Sequence, residues 1–235
     1  DSWKAEKTDA GVTYRGPHGS VAIQFDPWHV MVRDSRGRTL TQTYRFGDSM
    51  CLQNHHPMPF SFVRVAEDLS RMFAASFTLA PDEKLFGAGE SFTRLNKRGQ
   101  KFPLYHTDAH GALTDAMYKP VPMFVSSRGY GMFVHTSAPT TFDFGRDYDE
   151  ANVIYVGEDV ADLFIFLGEP KDVVEQYTAL TGRSPLPPLW SFGLWMSRIT
   201  YKSEQETRDV AAKLREQRIP CDVIHLDTGW FETDW

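Results

Sequence analysis

Asp227 is the residue whose type and position best suit chemistry on a bound ligand. It directly follows an apolar run, 221–226, and Thr228 and Trp230 come just after it. Trp195 lies near the end of an earlier apolar run. A carboxylate accepts hydrogen bonds from hydroxyl groups, each charge-assisted bond contributing about 1.5–3 kcal/mol, and an indole ring offers a face for a sugar ring to stack on. These residues predict a binding edge for a polyhydroxyl ligand, with a turn cap at Asp227 and core packing of the tryptophans as the alternative.

A second group, His106, Asp108 and His110, alternates as metal ligands on a strand would. The Thr, Ala and Gly residues between and around them are typical of a loop, so we expect no metal there. Asp108 alone is the better candidate, as a loop carboxylate that reaches a neighbouring site. The glycines of 86–89 lack the third glycine and the following helix of a nucleotide-binding loop, and we expect no cofactor.

Composition excludes several classes of protein. The net charge is −6 with the charges dispersed, which argues against a nucleic-acid partner, and no apolar run is long enough for a membrane span. Two cysteines far apart, Cys51 and Cys221, favour free thiols and a reducing, cytoplasmic compartment. Because the first residue is Asp1 rather than Met, a removed signal peptide and secretion are the alternative.

The elements that must position these residues are mostly strands. From residue 2 to about 81, short alternating segments separated by turns predict a β-sandwich. The stretch 84–115 is rich in Gly, Asn, Lys and His, and we expect it to cross the surface rather than pack in a core. A hairpin with its turn at 127–129 and further strands up to 167 complete this β-rich part.

The pattern changes near residue 170. Val173, Val174, Tyr177 and Leu180 have the spacing of one helix face, and Gly182 ends that helix. A proline-rich segment follows, so we predict an N-terminal β-sandwich domain over 1–183 and a second domain over 184–235.

The second domain has the pattern strand, helix, strand. The runs 189–196 and 221–226 are expected to be strands buried on both faces. Between them Ser203 and Glu206 form a capping box at the start of a helix. Such a βαβ unit is parallel, and in a (β/α)8 barrel Asp227 would lie at the C-terminal rim, where such enzymes build their sites. Two parallel strands are not a stable sheet, so we expect the remaining strands beyond Trp235.

Several segments, in this order and at these intervals, resemble glycoside hydrolase family 31. They are 85–92 (LFGAGESF), 118–122 (YKPVP), 127–131 (SRGYG), 181–188 (TGRSPLPP), 190–195 (WSFGLW) and 225–230 (HLDTGW). The resemblance implies a mostly β fold, a galactose-mutarotase-like β-sandwich followed by the first βαβ unit of a (β/α)8 barrel. It also implies hydrolysis of terminal α-glycosides of an oligosaccharide with retention.

By the same resemblance, Asp227 binds the terminal sugar and Asp108 reaches toward it from the sandwich. Thr228, Gly229 and Trp230 stand where many α-glucosidases carry Asp-Tyr-Met, which favours an α-xylosidase over an α-glucosidase. Trp195, Thr228 and Trp230 complete the predicted substrate-binding set.

The resemblance places the nucleophile and the acid/base on later barrel strands, beyond Trp235. We therefore expect the 235 residues to be inactive alone, and the rest of the barrel to pack on them. A homo-oligomer stays open. Two other classes remain as alternatives: a non-catalytic carbohydrate-binding sandwich and an aldose epimerase, the latter needing a positioned His and Glu.

Overall fold

The structure is a computed structural model that describes residues 3–44, 59–64, 67–68, 70–107, 114 and 116–230. The chain divides into two compact units, Asp1–Gly182 and Arg183–Trp235. Among the described helices, none combines the length and the apolar character needed to cross a membrane.

The N-terminal unit begins with an antiparallel meander in which each strand pairs with the next. Its strands are β1 (Lys4–Thr8), β2 (Gly11–Gly16), β3 (Gly19–Phe25), β4 (Trp28–Asp34) and β5 (Thr39–Gln42). The turn after β4 is held by Asp34 and Gly37. Asp34 Oδ1 accepts hydrogen bonds from the backbone N–H groups of Arg36 and Arg38, both at 2.9 Å, and Gly37 adopts φ +81°. These contacts fix the turn locally, as short polar turn residues do.

Two further antiparallel sheets follow, with the strand orders β14-β11-β10-β8 and β6-β7-β13-β12-β9. Their strands are β6 (Phe60–Arg64), β7 (Arg71–Thr78), β8 (Leu85–Glu90), β9 (Lys101–Leu104), β10 (Lys119–Ser126), β11 (Tyr130–Val134), β12 (Thr140–Phe144), β13 (Ala151–Val156) and β14 (Leu163–Leu167).

The main core lies between these two sheets. Phe124 of β10 contacts Phe142 and Phe144 of β12 across the gap, with ring centroids 5.6 and 5.0 Å apart, and all three side chains are fully buried. Each such ring contributes about 1.5–3 kcal/mol by leaving water. Two sheets sharing one apolar layer form a β-sandwich, so the predicted architecture is confirmed.

A short helix, α1 (Pro170–Thr181), covers the outer face of the β14-β11-β10-β8 sheet. It ends at Gly182 as predicted. Val173 is fully buried, and Tyr177 packs against Phe133 with ring centroids 5.2 Å apart. The predicted face was too broad: Val174 and Leu180 are about half exposed, because only the i, i+4 pair meets the sheet.

The stretch 84–115 does not simply cross the surface, so that prediction was wrong. It supplies β8 and β9, and Leu85, Ala88, Phe102 and Leu104 are buried in the main core. Its many glycines and polar residues hid these two strands, because each strand contributes only two of these buried side chains and those of β8 lie three positions apart.

The C-terminal unit contains β15 (Trp195–Arg198), α2 (Glu204–Glu216) and β16 (Val223–Leu226). The two strands pair in parallel, as predicted. The run expected to be one strand from residue 189 instead begins with a 3-10 helix, Leu189–Phe192, directly after two prolines. The strands are also not buried on both faces: Trp195 is 49% and Leu226 41% exposed, since among the described residues this sheet has only these two strands.

Candidate functional site

The carboxyl ends of β15 and β16 lie side by side. The register pairs Ser197 with His225 and Arg198 with Leu226, so the loops that leave both strands start at one edge. Asp227 is the first residue after β16 at that edge. Parallel pairing therefore brings the predicted ligand-binding carboxylate next to the segment that follows β15.

The turn after β16 is fixed by close contact with the segment after β15. The backbone N–H of Gly229 donates to the carbonyl of Ile199 at 2.8 Å. A Cβ atom at Gly229 would lie 2.6 Å from that same oxygen and 2.6 Å from Thr200 Oγ1. Only glycine allows this approach. The glycine at position 229 therefore keeps the loop that begins at Asp227 close to the segment after β15.

Asp227 is half-buried, and its Oδ1 accepts a hydrogen bond from the backbone N–H of Thr228 at 2.7 Å. This local bond orients the carboxylate and occupies one oxygen. Asp227 therefore also caps a turn, as the alternative interpretation of this residue predicted. A capping bond through Oδ1 leaves Oδ2 for a ligand, so the two roles are compatible.

The two faces of the strand pair differ in chemistry. Arg198 forms an ion pair with Glu206 of α2, and its guanidinium lies 5.0 Å from the Tyr201 ring centroid. Arg198 therefore points to the helix side. Because neighbouring strand residues alternate between faces, Ser197 and His225 lie on the opposite face.

The capping box of α2 is only partly as predicted. Ser203 Oγ accepts from the backbone N–H of Glu206 at 3.1 Å. Glu206 does not reach back to Ser203 but accepts from the backbone N–H of Lys202 at 2.7 Å and pairs with Arg198. These bonds, that of Lys202 first and that of Arg198 next, lower the pKa of the Glu206 carboxyl. Glu206 thus links the start of α2 to the end of β15.

His225 lies on β16, a strand that was expected to be buried on both faces. It is exposed, and its Nδ1 lies 2.8 Å from Ser197 Oγ on the neighbouring strand. A two-residue step along β16 puts His225 and Asp227 on the same face. Sequence reasoning missed this pair, although the spacing His-x-Asp at the end of a strand is a usable signal.

Residues 195–198 were predicted to close the first strand, and they form β15, with Trp195 as its first residue. Three residue steps separate it from the carboxyl end, which is about 10 Å at about 3.3 Å per residue. Its Nε1 donates to the carbonyl of Ser191 at 3.0 Å, so the indole is anchored to the preceding 3-10 helix. The carboxyl end of β15 thus reaches the edge near Asp227 through Arg198, while Trp195 lies at the other end of the strand, and its substrate-binding role stays a prediction.

Trp230 ends a 3-10 turn, Thr228–Trp230, and is 51% exposed. Thr228 is exposed as well. Both residues therefore lie within the same short turn as Asp227. Their substrate-binding role stays a prediction.

Several other candidates lie outside the described residues, namely Asp108, His110 and Cys51. His106 is described and exposed, with its ring 5.9 Å from that of Tyr118. Within the described parts of the chain, no group of three His, Cys, Asp or Glu side chains could hold a metal ion, and Cys221 is a free thiol.

The edge formed by Ser197, His225 and Asp227 combines a hydroxyl, an imidazole and a carboxylate on one face. Such groups can donate to and accept from the hydroxyls of a sugar. Asp227 is the one carboxylate among the described residues that lie on this face of β15 and β16 or directly follow it. This edge is therefore suited to binding rather than to a two-carboxylate reaction.

Two family models match the chain. The glycosyl hydrolase 31 N-terminal galactose mutarotase-like domain matches residues 1–143, and the glycosyl hydrolases family 31 TIM-barrel domain matches residues 184–235. Alpha-glucosidase 2 of Bacillus thermoamyloliquefaciens is 35% identical over 228 residues, which cover 94% of this chain and 27% of that relative. An alpha-xylosidase of Lactiplantibacillus pentosus is 38% identical over 152 residues, which cover 63% of this chain and 20% of that relative.

Among solved structures, a family 31 dextranase of Flavobacterium johnsoniae complexed with glucose superimposes with a TM-score of 0.78 at 26% identity, covering 98% of this chain and 27% of that one. The chain thus spans about a quarter of the length of the relatives that match nearly all of it. The predicted fold class, a galactose-mutarotase-like β-sandwich followed by the start of a (β/α)8 barrel, is confirmed.

Proposed function

This chain belongs to glycoside hydrolase family 31, whose members are glycosidases, and we propose that the whole protein releases terminal α-linked xylose from oligosaccharides with retention of configuration. The 235 residues span 27% of the glucosidase relative that matches most of them. Retaining hydrolysis needs two carboxylates about 5–5.5 Å apart. Because the described face of β15 and β16 offers Asp227 alone, we propose that these residues do not turn over a glycoside by themselves.

Asp227 carries the proposal. It follows β16 at the edge where barrel enzymes bind their substrates, and the contact of Gly229 with Ile199 holds its loop in place. Its Oδ1 is taken by Thr228, and Oδ2 accepts a hydroxyl hydrogen of the terminal sugar. Trp230 provides an apolar wall beside that sugar.

The preference for xylose rests on the residues that follow Asp227. Xylose lacks the hydroxymethyl group of glucose, and a pocket that leaves no room for this group discriminates by about 1–3 kcal/mol. Thr228 and the large ring of Trp230 are proposed to take up that space. The alternative is an α-glucosidase, which is favoured by the 35% identity to a glucosidase over 94% of the chain.

The test uses the whole enzyme and two aryl substrates, an α-xyloside and an α-glucoside. We expect kcat/KM to be about tenfold or more higher for the xyloside. Proton NMR of the first product should show the α-anomer before mutarotation. A preference for the glucoside would establish the alternative, and a β-anomer would disprove retention.

The role of Asp227 is tested by Asp227→Asn, with Asp222→Asn as the matched control. Asp222 is an exposed carboxylate just before β16, at the opposite end of the strand. Loss of one charge-assisted hydrogen bond of about 1.5–3 kcal/mol predicts a roughly 10- to 150-fold fall in kcat/KM for Asp227→Asn. Equal effects of both substitutions would show that Asp227 does not contact the sugar.

A further inference from the structure

We propose that a pocket around the buried Lys97 in the N-terminal unit binds the carboxylate of an acidic sugar. This Lys97 pocket has a volume of about 470 Å³ and is lined by residues of β8, of the segment after it and of the segment just before β10, including Gly87, Gly89, Glu90, Ser91, Thr93 and Tyr118. Its size lies within the range of about 300–1,000 Å³ that is typical of small-molecule sites. That the carboxylate belongs to a sugar rests on the proposed function.

Lys97 is only 4% exposed, although it carries an ammonium group. Its Nζ donates to Ser91 Oγ and to Thr93 Oγ1, both at 2.7 Å. These acceptors are neutral, and no carboxylate among the described residues forms an ion pair with Lys97. An ammonium has three N–H donors, so one donor and the charge itself are left for a ligand. A buried charge without a counter-charge is unfavourable, and a bound anion would supply that counter-charge.

Burial lowers the pKa of the Lys97 amine, in agreement with a site that lacks a counter-charge. A bound carboxylate would act in the opposite direction and favour the charged amine.

The backbone of β8, which lines the pocket together with Lys97, departs from regular strand geometry. Gly87, Ala88 and Gly89 have φ values of +105°, +68° and +97°, and the pairing of β8 with β10 shifts register at this point. A Cβ atom at Gly89 would lie 2.0 Å from the carbonyl oxygen of Lys119. Ala88 is buried in this conformation, which costs of the order of 1–3 kcal/mol, and such strained residues are enriched at functional sites.

The rim of the Lys97 pocket is apolar and open. Phe92 is 66% and Leu95 79% exposed, and Tyr118, which also lines the pocket, is 51% exposed. Exposed aromatic rings beside polar groups suit a sugar ring, because its C–H face can lie on the ring while its polar groups face inward.

The surrounding charge favours an anion over a neutral sugar. The charged residues that line the pocket are Glu90 and Lys97, whereas Arg98 donates to the backbone carbonyls of Ala80 and Asp149. The nearby Glu90 is already paired with Lys119 at 3.8 Å, with both side chains 73% exposed. Lys97 is therefore the charged group of the pocket lining that has no paired counter-charge, and a carboxylate would complement it.

The test is a calorimetric titration of the 235-residue chain with D-glucuronate, and with D-glucose and acetate as separate probes. We expect glucuronate to bind at least about tenfold more tightly than either probe, because only glucuronate has both the charge and the ring. Lys97→Met should weaken glucuronate binding by about tenfold or more, whereas Lys7→Met, which removes an exposed lysine of β1 that does not line the pocket, should leave it within about twofold.

Acetate binding as tightly as glucuronate, or equal effects of the two lysine substitutions, would overturn the proposal. If Lys97→Met does not fold, Phe92→Ala tests the proposal instead, because truncating an exposed side chain at the rim should leave the fold intact. It should weaken glucuronate binding and leave acetate binding unchanged; an unchanged glucuronate affinity would overturn the proposal. Xyloside turnover by the whole enzyme is measured separately, so failure of the Lys97 pocket is distinguishable from failure of the proposed function.

Discussion

Replacing Tyr130 by Phe removes one hydroxyl from the most completely buried polar network of the sandwich that the structure describes. Tyr130 is fully buried, and its hydroxyl donates to Glu83 Oε1 at 2.7 Å. Ser126 Oγ donates to the same oxygen at 2.6 Å, and the backbone N–H of Ala80 donates to Glu83 Oε2 at 3.0 Å. Glu83 itself is 1% exposed, so no solvent can replace a lost donor.

The expected loss follows from these contacts. A hydrogen bond to a charged group contributes about 1.5–3 kcal/mol. Ser126 still donates to the same oxygen after the substitution, so the carboxylate is not orphaned and the lower half of that range, about 2 kcal/mol, applies. Burial and the neighbouring Glu83 raise the pKa of the Tyr130 phenol well above its usual value, so the hydroxyl keeps its proton throughout the working pH range.

The assay is urea unfolding of the 235-residue chain, followed by far-ultraviolet circular dichroism to report the β-sheet. With a slope of about 3 kcal/mol per molar urea, a loss of 2 kcal/mol shifts the midpoint down by roughly 0.7 M. Tyr14→Phe is the matched control, since Tyr14 is 41% exposed and the change should stay within about 0.5 kcal/mol. If Tyr130→Phe shifts the midpoint no more than the control does, the reasoning from buried hydrogen bonds is refuted.

Two further predictions concern the edge that holds Asp227. Gly229→Ala should destabilise the C-terminal unit by about 1–3 kcal/mol, because the new Cβ meets the carbonyl of Ile199 at 2.6 Å; backbone NMR shifts of Ile199 and its neighbours report it. Glu206→Gln should abolish the loss of structure at low pH that follows from protonation of the Glu206 carboxylate. The folded-state pKa of Glu206 is lowered from about 4.5 by the Lys202 N–H and by Arg198, so its stabilisation is present above that value and is lost as the pH falls through the folded-state pKa. The amide shift of Lys202 followed against pH reports this contact.

Controls for these two changes lie within the same elements. Thr228→Ala alters an exposed side chain in the turn of Gly229 and should leave the shifts of Ile199 nearly unchanged. Glu204→Gln removes an exposed carboxylate from the first turn of α2 and should leave the pH dependence in place. If the alanine at position 229 produced no shifts, the close approach would be absent in solution. A pH profile identical in Glu206→Gln and the parent chain would contradict the assigned cause.

The sandwich was predictable because most of its strands can be recognised from their local sequence. Alternating runs such as 20–25 and 71–79 and the turn at Asp34 carry their own physical signal. Segment 84–115 did not, because β8 and β9 are short and are held by pairing with β10 and β12, residues distant in sequence. Lys97 likewise looks like a surface lysine in sequence, and only the fold reveals its burial.

For the candidate site, the sequence determined that Asp227 follows a parallel strand, since a βαβ unit of this length admits that arrangement. It also determined the family, through motifs in a fixed order. Which side chains share a face with Asp227 was decided by the tertiary structure: the register that joins Ser197 to His225 and the start of β15 at Trp195 depend on contacts between separate segments. Local patterns encode which element forms, whereas register and burial depend on the partner it meets.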